Sequence, residues 1–374
     1  MFASLLAAAL AISPADAAPA PPEPVALASP VVQAAPDLGP PPGIDEVFAV
    51  PAALREALHN RVIRPGSGSD QQRLNRLVRF LFDDDGLAMR YRHDADHTVA
   101  QAWQTREANC LSFTILTIAL ARAAGIDAYG QEIPRVLSWY REGNTLYFSN
   151  HVNAGIRIAG HRYSVDVASD SILAVDPPKK IDDQRLLAIF HSNRAATLVG
   201  RQQYAEAGDY MTAAFAADDS YPAAWNNAGV LALRQGREPD AEHHFKKTLE
   251  LNDQHEGALM NLAALYAARG DKARERQLRA RVDRIQRSNP FHYFLLATED
   301  EARGEYAKAA QRYRRAISLH DGEHQFHYGL ARAYLHLGEY RKAGESLRRA
   351  QALAGAGVAE RYQAKLEQLR RKGL

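Results

Sequence analysis

The chain has 374 residues, 46% of them apolar, and its 46 Lys and Arg against 44 Asp and Glu leave a formal net charge of +2. That length suits one large or two medium domains, and the near-neutral balance provides no basic field, so no nucleic-acid partner is expected. A single cysteine, Cys110, excludes an internal disulfide framework and any metal site built on several thiolates.

Residues 1–17 read as an export signal. Phe2 to Ile12 form a short apolar run, and Ala15-Asp16-Ala17 supplies a small-x-small cleavage pattern. The run is too short to span a bilayer, and no Lys or Arg precedes it. The expectation is a periplasmic or secreted protein with no stable membrane insertion after cleavage. The alternative is an apolar, disordered start of a cytoplasmic protein. Residues 18–49 form a Pro-rich linker, because nine of the 25 residues from Ala18 to Pro42 are proline. Such a stretch behaves as an extended spacer. A folded front domain is therefore expected over 50–180.

Ser69 with Gln72 forms a capping box, followed by Leu74, Leu77, Val78 and Leu81 at helical spacing. Asp83-Asp84-Asp85-Gly86 ends that helix and lacks the other ligand positions of a calcium loop. Pro65 to Ser69 is too short and badly placed for a phosphate loop and reads as a turn. His93, Asp94, Asp96 and His97 form a cluster of metal-ligating residue types, with His93 and His97 at the spacing of a one-face metal pair, but no apolar helix carries the pair and the segment reads as a polar loop. Neither a metal nor a cofactor is expected.

Thr98 to Thr105 reads as a second short helix. Asn109 is a natural N-cap, and Leu111 to Ala124 is mostly apolar until Gly125 stops it. A helix apolar on nearly every side lies at the centre of a domain. Cys110 is then its first helical residue, where the helix dipole and unpaired amides stabilise a thiolate. The other reading of Cys110 is a packed thiol. Beyond Gly125 the pattern changes to strands over Ala128–Ile133, Thr145–Ser149, His151–Ile158 and Tyr163–Ala168, with turn signals between them. His151 opens one strand of a hairpin and Asp166 lies on the other. A thiol, an imidazole and a carboxylate are the parts of nucleophilic catalysis: the thiol attacks a carbonyl, the imidazole takes and returns its proton, and the carboxylate orients the imidazolium.

The segment Asn109-Cys110-Leu111-Ser112, the turn Ala123-Ala124-Gly125-Ile126-Asp127-Ala128, His151 and Val165-Asp166 together resemble the core of the transglutaminase-like, papain-like superfamily of cysteine enzymes. The resemblance covers about Val99 to Val167. It implies an α+β front domain in which Cys110 is the nucleophile, His151 the general base and acid, and Asp166 the orienting residue. It also implies acyl transfer from protein amides through a thioester, as a peptidase, an amidase or a cross-linker. Asn109 stands where the family commonly has glycine, and Val152-Asn153 where an aromatic often follows the histidine. The Cys110 amide, with Gln104 or Trp103 as side-chain donor, is the candidate oxyanion hole.

Gly236, Gly270, Gly304 and Gly338 fall 34 residues apart, each between two helical runs. Ala241, Ala309 and Ala343 follow at a constant offset, as do Phe245, Tyr313 and Leu347. This register resembles the tetratricopeptide repeat, with units starting near 188, 222, 256, 290 and 324. Trp225, Gly229, Tyr266 and Tyr334 fit the motif's aromatic and small positions. The third unit departs, with Glu275 and Arg279 where alanine and an aromatic belong, so its second helix is expected to be shifted or irregular. Val358 to Arg371 reads as a capping helix. Residues 188–374 thus form an all-α solenoid that holds a protein or peptide, with Asn226, Phe294, Tyr328 and Arg332 as groove candidates. The rival to an enzyme is a catalytically inactive repeat adaptor built on a degenerate front domain.

Overall fold

The computed structural model describes residues 38–65, 68–133, 136–137, 139–142, 145–148, 151–166, 173–174, 177–354 and 356–371. The export segment and most of the Pro-rich linker lie outside them. Met1–Gly39 and Pro40–Leu374 form separate units, and every element belongs to the second. No helix among the described residues is long and apolar enough to cross a membrane.

Folded chain begins earlier than the proline content suggests. The short helix α1 (Ile44–Val47) already buries Val47 completely. Then come α2 (Ala52–Leu58), a π-helical turn (His59–Ile63) and α3 (Asp70–Phe82), whose N-cap Ser69 accepts from the Gln72 amide as the capping signature requires. Strand β1 (Arg90–Tyr91) pairs in parallel with β2 (Glu107–Ala108), on either side of α4 (Val99–Thr105). Thr98 and Gln101 close a capping box on α4.

Helix α5 (Cys110–Ala123) is the axis of this region. Every residue from Leu111 to Ala121 is buried. Its one charged side chain, Arg122, escapes at the C-terminal turn, donating to Ala128 O (2.9 Å) and clasping Asp183 with two bonds of 2.6 and 2.9 Å. Gly125 then turns the chain at φ +75° into β3 (Asp127–Ile133). The sheet beside α5 runs β10–β3–β7–β8, antiparallel throughout, with β7 (His151–Ile158), β8 (His161–Val165) and β10 (Lys179–Ile181). Between β3 and β7 lie β4 (Val136–Leu137), β5 (Trp139–Glu142) and β6 (Thr145–Phe148). β5 pairs with β6, and β4 with β9 (Leu173–Ala174). Ala159 and Gly160, both at positive φ, make the two-residue turn of the β7–β8 hairpin.

The rest is helix pairs. The first, α6 (Asp183–Gly200) with α7 (Tyr204–Ala217), starts five residues before the expected 188, because Asp182 caps α6 by accepting from Arg185 N. The following pairs are α8 (Pro222–Arg234) with α9 (Glu238–Leu251), α10 (Glu256–Ala268) with α11 (Lys272–Arg287), α12 (Pro290–Ala302) with α13 (Tyr306–Leu319), and α14 (His324–His336) with α15 (Tyr340–Leu353). The glycines at 34-residue spacing close the first helix of the last four pairs at φ between +73° and +76°, and Gln202 (φ +63°) takes that place in the first, a left-handed conformation that costs residues other than glycine most. Helix α11 is regular but rotated: Leu278 and Val282 are buried, while Arg279 turns out to pair with Glu275. A one-residue shift thus lets a charged pair replace the usual small and large side chains. Helix α16 (Ala356–Arg371) lays Tyr362 and Leu366 over Ala331, Leu347 and Ala350 and closes the far end.

Candidate functional site

Cys110 sits at the first position of α5, partly exposed at the end of an otherwise buried helix. Asn109 caps it as the sequence predicts, its Oδ1 accepting from Ser112 N at 2.9 Å. As the first residue of the helix, Cys110 has a backbone N–H with no intrahelical acceptor. Thr114 Oγ1 lies within bonding distance of both Cys110 O (2.7 Å) and Val152 O (3.2 Å). This hydroxyl bridges the first turn of α5 to the start of β7, one residue from His151.

The hairpin register then fixes the other two groups. Ala154 pairs with Val165, so Asp166, one residue beyond the end of β8, falls opposite Asn153. Side chains two apart share a face of a strand, so His151 and Asn153 point the same way. His151 Nε2 meets Asp166 Oδ2 at 2.6 Å, and Asn153 Nδ2 donates to the same oxygen at 3.3 Å. The structure therefore brings His151 and Asp166 together, and Cys110 is near enough to act on the imidazole.

His151 is 1% exposed. Burial alone would push its imidazole down. Hydrogen bonds with Asp166 and Cys110, and the charges of both, outweigh burial and raise it to about 9. The imidazolium is then the form present at neutral pH. With Nε2 committed to Asp166, Nδ1 is the nitrogen left to the thiol. A protonated imidazole beside a thiol is an arrangement that nucleophilic cysteine chemistry uses.

Of the two oxyanion candidates, Gln104 is exposed on α4 and Trp103 is half-buried, with the Arg106 guanidinium 3.8 Å over its ring. Arg106 adopts a left-handed conformation (φ +59°) between α4 and β2. The 93–97 segment is a loop, as expected. Asp94 is bound by Arg92 (2.6 and 3.0 Å) and His97 Nδ1 lies 3.1 Å from Glu107 O. Among the described residues no three metal-ligating side chains cluster.

Four residues around the site are not expected there from the sequence, and of these only Asp96 is weighed for another role, as a metal ligand. Asn153 stood only as a departure from the family pattern, yet it holds Asp166. Asp96 accepts from Asn109 Nδ2 at 2.7 Å. Asn193 and Arg194, on α6, reach the same loop. Only Asn193 had a visible signal, since Asn227 and Asn261 repeat it at 34-residue intervals.

The groove candidates divide. Asn226 is half-buried and accepts from Asn261 Nδ2 (3.0 Å). Tyr328 is stacked on Tyr362, with Arg332 at 5.3 Å. Arg332 bonds Glu301 (2.6 Å). Phe294 is a correction: it is 7% exposed and packs on Phe326 and Tyr313 inside the array, so it faces the core and not a groove.

Residues 193–256 and 294–357 match the family model of the tetratricopeptide repeat. Over 120 residues the chain is 38% identical to the probable biofilm formation methyltransferase WspC of Pseudomonas aeruginosa, a stretch that is 32% of this chain and 26% of that protein. The namesake in Pseudomonas putida is 43% identical over 61 residues, 16% of this chain and 14% of that one. The chain thus spans about a quarter and about a seventh of these relatives. Solved structures with similarity include MamA (17% identity, 44% of this chain, 91% of that one, TM-score 0.25). They also include YrrB, described as a TPR protein with an unusual peptide-binding site (17% identity, 48% and 92%, TM-score 0.25). The back of the chain carries tetratricopeptide repeats, a fold suited to holding a protein or peptide.

Proposed function

We propose that the front domain is a transglutaminase-like cysteine enzyme acting on protein amides, and that the repeats hold its polypeptide substrate or partner. One observation carries this reading: Cys110 heads a buried helix against His151, whose Nε2 is held by Asp166 at 2.6 Å. The Cys110 thiolate attacks the amide carbon, and the oxyanion forms beside the Cys110 N–H. The His151 imidazolium then gives its proton to the departing amine, leaving a thioester. Water, or an acceptor amine, adds to the thioester while His151 takes a proton, and the thiolate leaves. Hydrolysis is the favoured outcome, making the protein a peptidase or amidase. Asp166, steadied by Asn153, orients the ring throughout.

Export to the periplasm or beyond belongs to this reading and rests on the apolar run with Ala15-Asp16-Ala17. The activity named for the methyltransferase relatives forms no part of it, because the similarity spans only 26% and 14% of their lengths. The test is a thiol-directed acyl probe on the full chain. Labelling of the wild type and its loss in both Cys110→Ala and His151→Ala are expected. Equal labelling of wild type and His151→Ala would show that the thiol reacts without the histidine, leaving a repeat adaptor with a catalytically inactive front domain.

A further inference from the structure

Within the array, an asparagine recurs on the first helix of three successive pairs, at Asn193, Asn227 and Asn261. Two of the three make the same bond. Asn261 Nδ2 donates to Asn226 Oδ1 (3.0 Å) and Asn227 Nδ2 to Ser192 Oγ (3.0 Å), each reaching 35 residues back to the preceding pair. Among the described residues no helix pair of the array precedes the one that carries Asn193. Its Nδ2 crosses 97 residues of chain instead and donates to Asp96 Oδ1 at 3.2 Å. Asp96 therefore takes the acceptor's place in that bond, and the same oxygen also accepts from Asn109, the N-cap of the cysteine helix (2.7 Å).

The next residue reinforces the joint. Arg194 is 3% exposed and lies over the Phe190 ring. Its guanidinium donates twice to Asp96 O (3.0 and 2.9 Å), to Gln101 Oε1 (2.7 Å) and to Tyr210 OH (3.2 Å). One arginine of the array thus holds both the loop behind Asn109 and the capping box of α4. Ser112 completes the clamp, donating to Ala95 O (2.8 Å) and accepting from His97 N (2.6 Å). The charged and titratable groups around Asp96 are Arg194, His97 and, through Arg194, the buried His191. Burial raises the Asp96 carboxyl above its ordinary range, against the two asparagine donors and Arg194.

We propose that Asp96 is a positioning residue for Cys110, held from the repeat array by Asn193 and Arg194, so that the first repeat is part of the support of the nucleophile. The claim rests on Cys110 being the nucleophile proposed above. Both asparagines bond the same oxygen, Oδ1. Asp96→Asn can present an equivalent carbonyl oxygen to them, and Asp96→Ala cannot.

The experiment is alkylation of Cys110 by iodoacetamide across pH in the full-length protein. A free thiol reacts mainly above about pH 8, whereas a thiolate paired with an imidazolium keeps reacting below pH 7. In Asp96→Ala and in Asn193→Ala that low-pH reaction should fall about tenfold, the worth of one hydrogen bond to a charged group. Asp96→Asn should restore most of it. Asn227→Ala breaks the equivalent bond one pair further on and should leave the profile unchanged. A merely structural role would lower the melting temperature of the variants without moving the profile of the folded protein. An unmoved profile in Asp96→Ala overturns the proposal, as does Asp96→Asn behaving like Asp96→Ala. If the wild type itself lacks the low-pH reaction, the enzyme reading fails instead, and the two failures are thereby separated.

Discussion

His151 titration is the most direct measure of the site's electrostatics. Its imidazole is raised from an ordinary 6.5 to about 9, although burial alone would lower it. That gap corresponds to about 3 kcal/mol of preferential interaction with the protonated ring. Because the folded value lies above the unfolded one, the stabilisation is complete below pH 6.5 and is lost as pH rises through about 9. The carboxylate of Asp166 and the thiol of Cys110 supply it. Asp166→Asn should therefore bring the titration back to 6.5 or below, since burial remains and its main opponent is gone. Cys110→Ala should also lower it. The assay is an NMR titration of the histidine ring protons, with the resonance identified by its absence in His151→Gln. Acylation at Cys110 should fall above about pH 9 as the imidazolium loses its proton. A wild-type His151 that titrates at or below 6.5, or one indifferent to Asp166→Asn, refutes the ion-pair reasoning.

The array and its junction give two further predictions. A Cβ at Gly329 would lie 2.4 Å from Tyr313 Cε1, a fully buried ring, so Gly329→Ala should destabilise the array by about 1–3 kcal/mol of overpacking; an unchanged thermal transition in the full chain would contradict this. A fragment ending at residue 181 loses α6, which packs on α1, α5 and β3 and buries Leu186 and Phe190 completely. With each such side chain worth about 1.5–3 kcal/mol, the fragment should lack a cooperative near-UV CD transition, and a sharp transition in it would show that the front region stands alone.

Much of this was legible because it is periodic or local. The 34-residue glycine register anticipated helix starts at Pro222, Glu256, Pro290 and His324, since a left-handed turn of fixed length recurs in each pair. Asn109 announced its own helix because capping is decided within four residues. His151 and Asp166 were within reach since a two-residue turn sets the hairpin register. Contacts between distant segments were not legible. Nothing near Asp96 in sequence points to Asn193 or Arg194, and Asn153 resembled a mere departure until its strand neighbour was known. Phe294 misled because an aromatic on the first helix of a pair reads the same whether it turns to the groove or to the next pair. In α11 the shift itself was legible from Glu275 and Arg279, but which residue would take over the burial, Leu278, was not.

A solenoid must cover the apolar faces at both of its ends, and here the two ends are closed by different means. At the far end α16 contributes Tyr362 and Leu366, and such a cap needs nothing more than one amphipathic helix. At the near end no capping helix precedes α6 among the described residues. The front region takes that place. Leu186 of α6 sits so close to β3 that a Cβ at Gly130 would stand 2.9 Å from its Cδ1, and Arg122 of the cysteine helix clasps Asp183 in the first turn of α6. Asp96 then accepts the asparagine bond that an earlier repeat would have accepted. The front region thus carries the proposed Cys110–His151–Asp166 site and also covers the N-terminal end of the array. An insertion or deletion between β10 and α6 would shift α6 by about 1.5 Å per residue along its axis, breaking the cap and the support of Asn109 together, which is why the repeat register and the site cannot be altered independently at this joint.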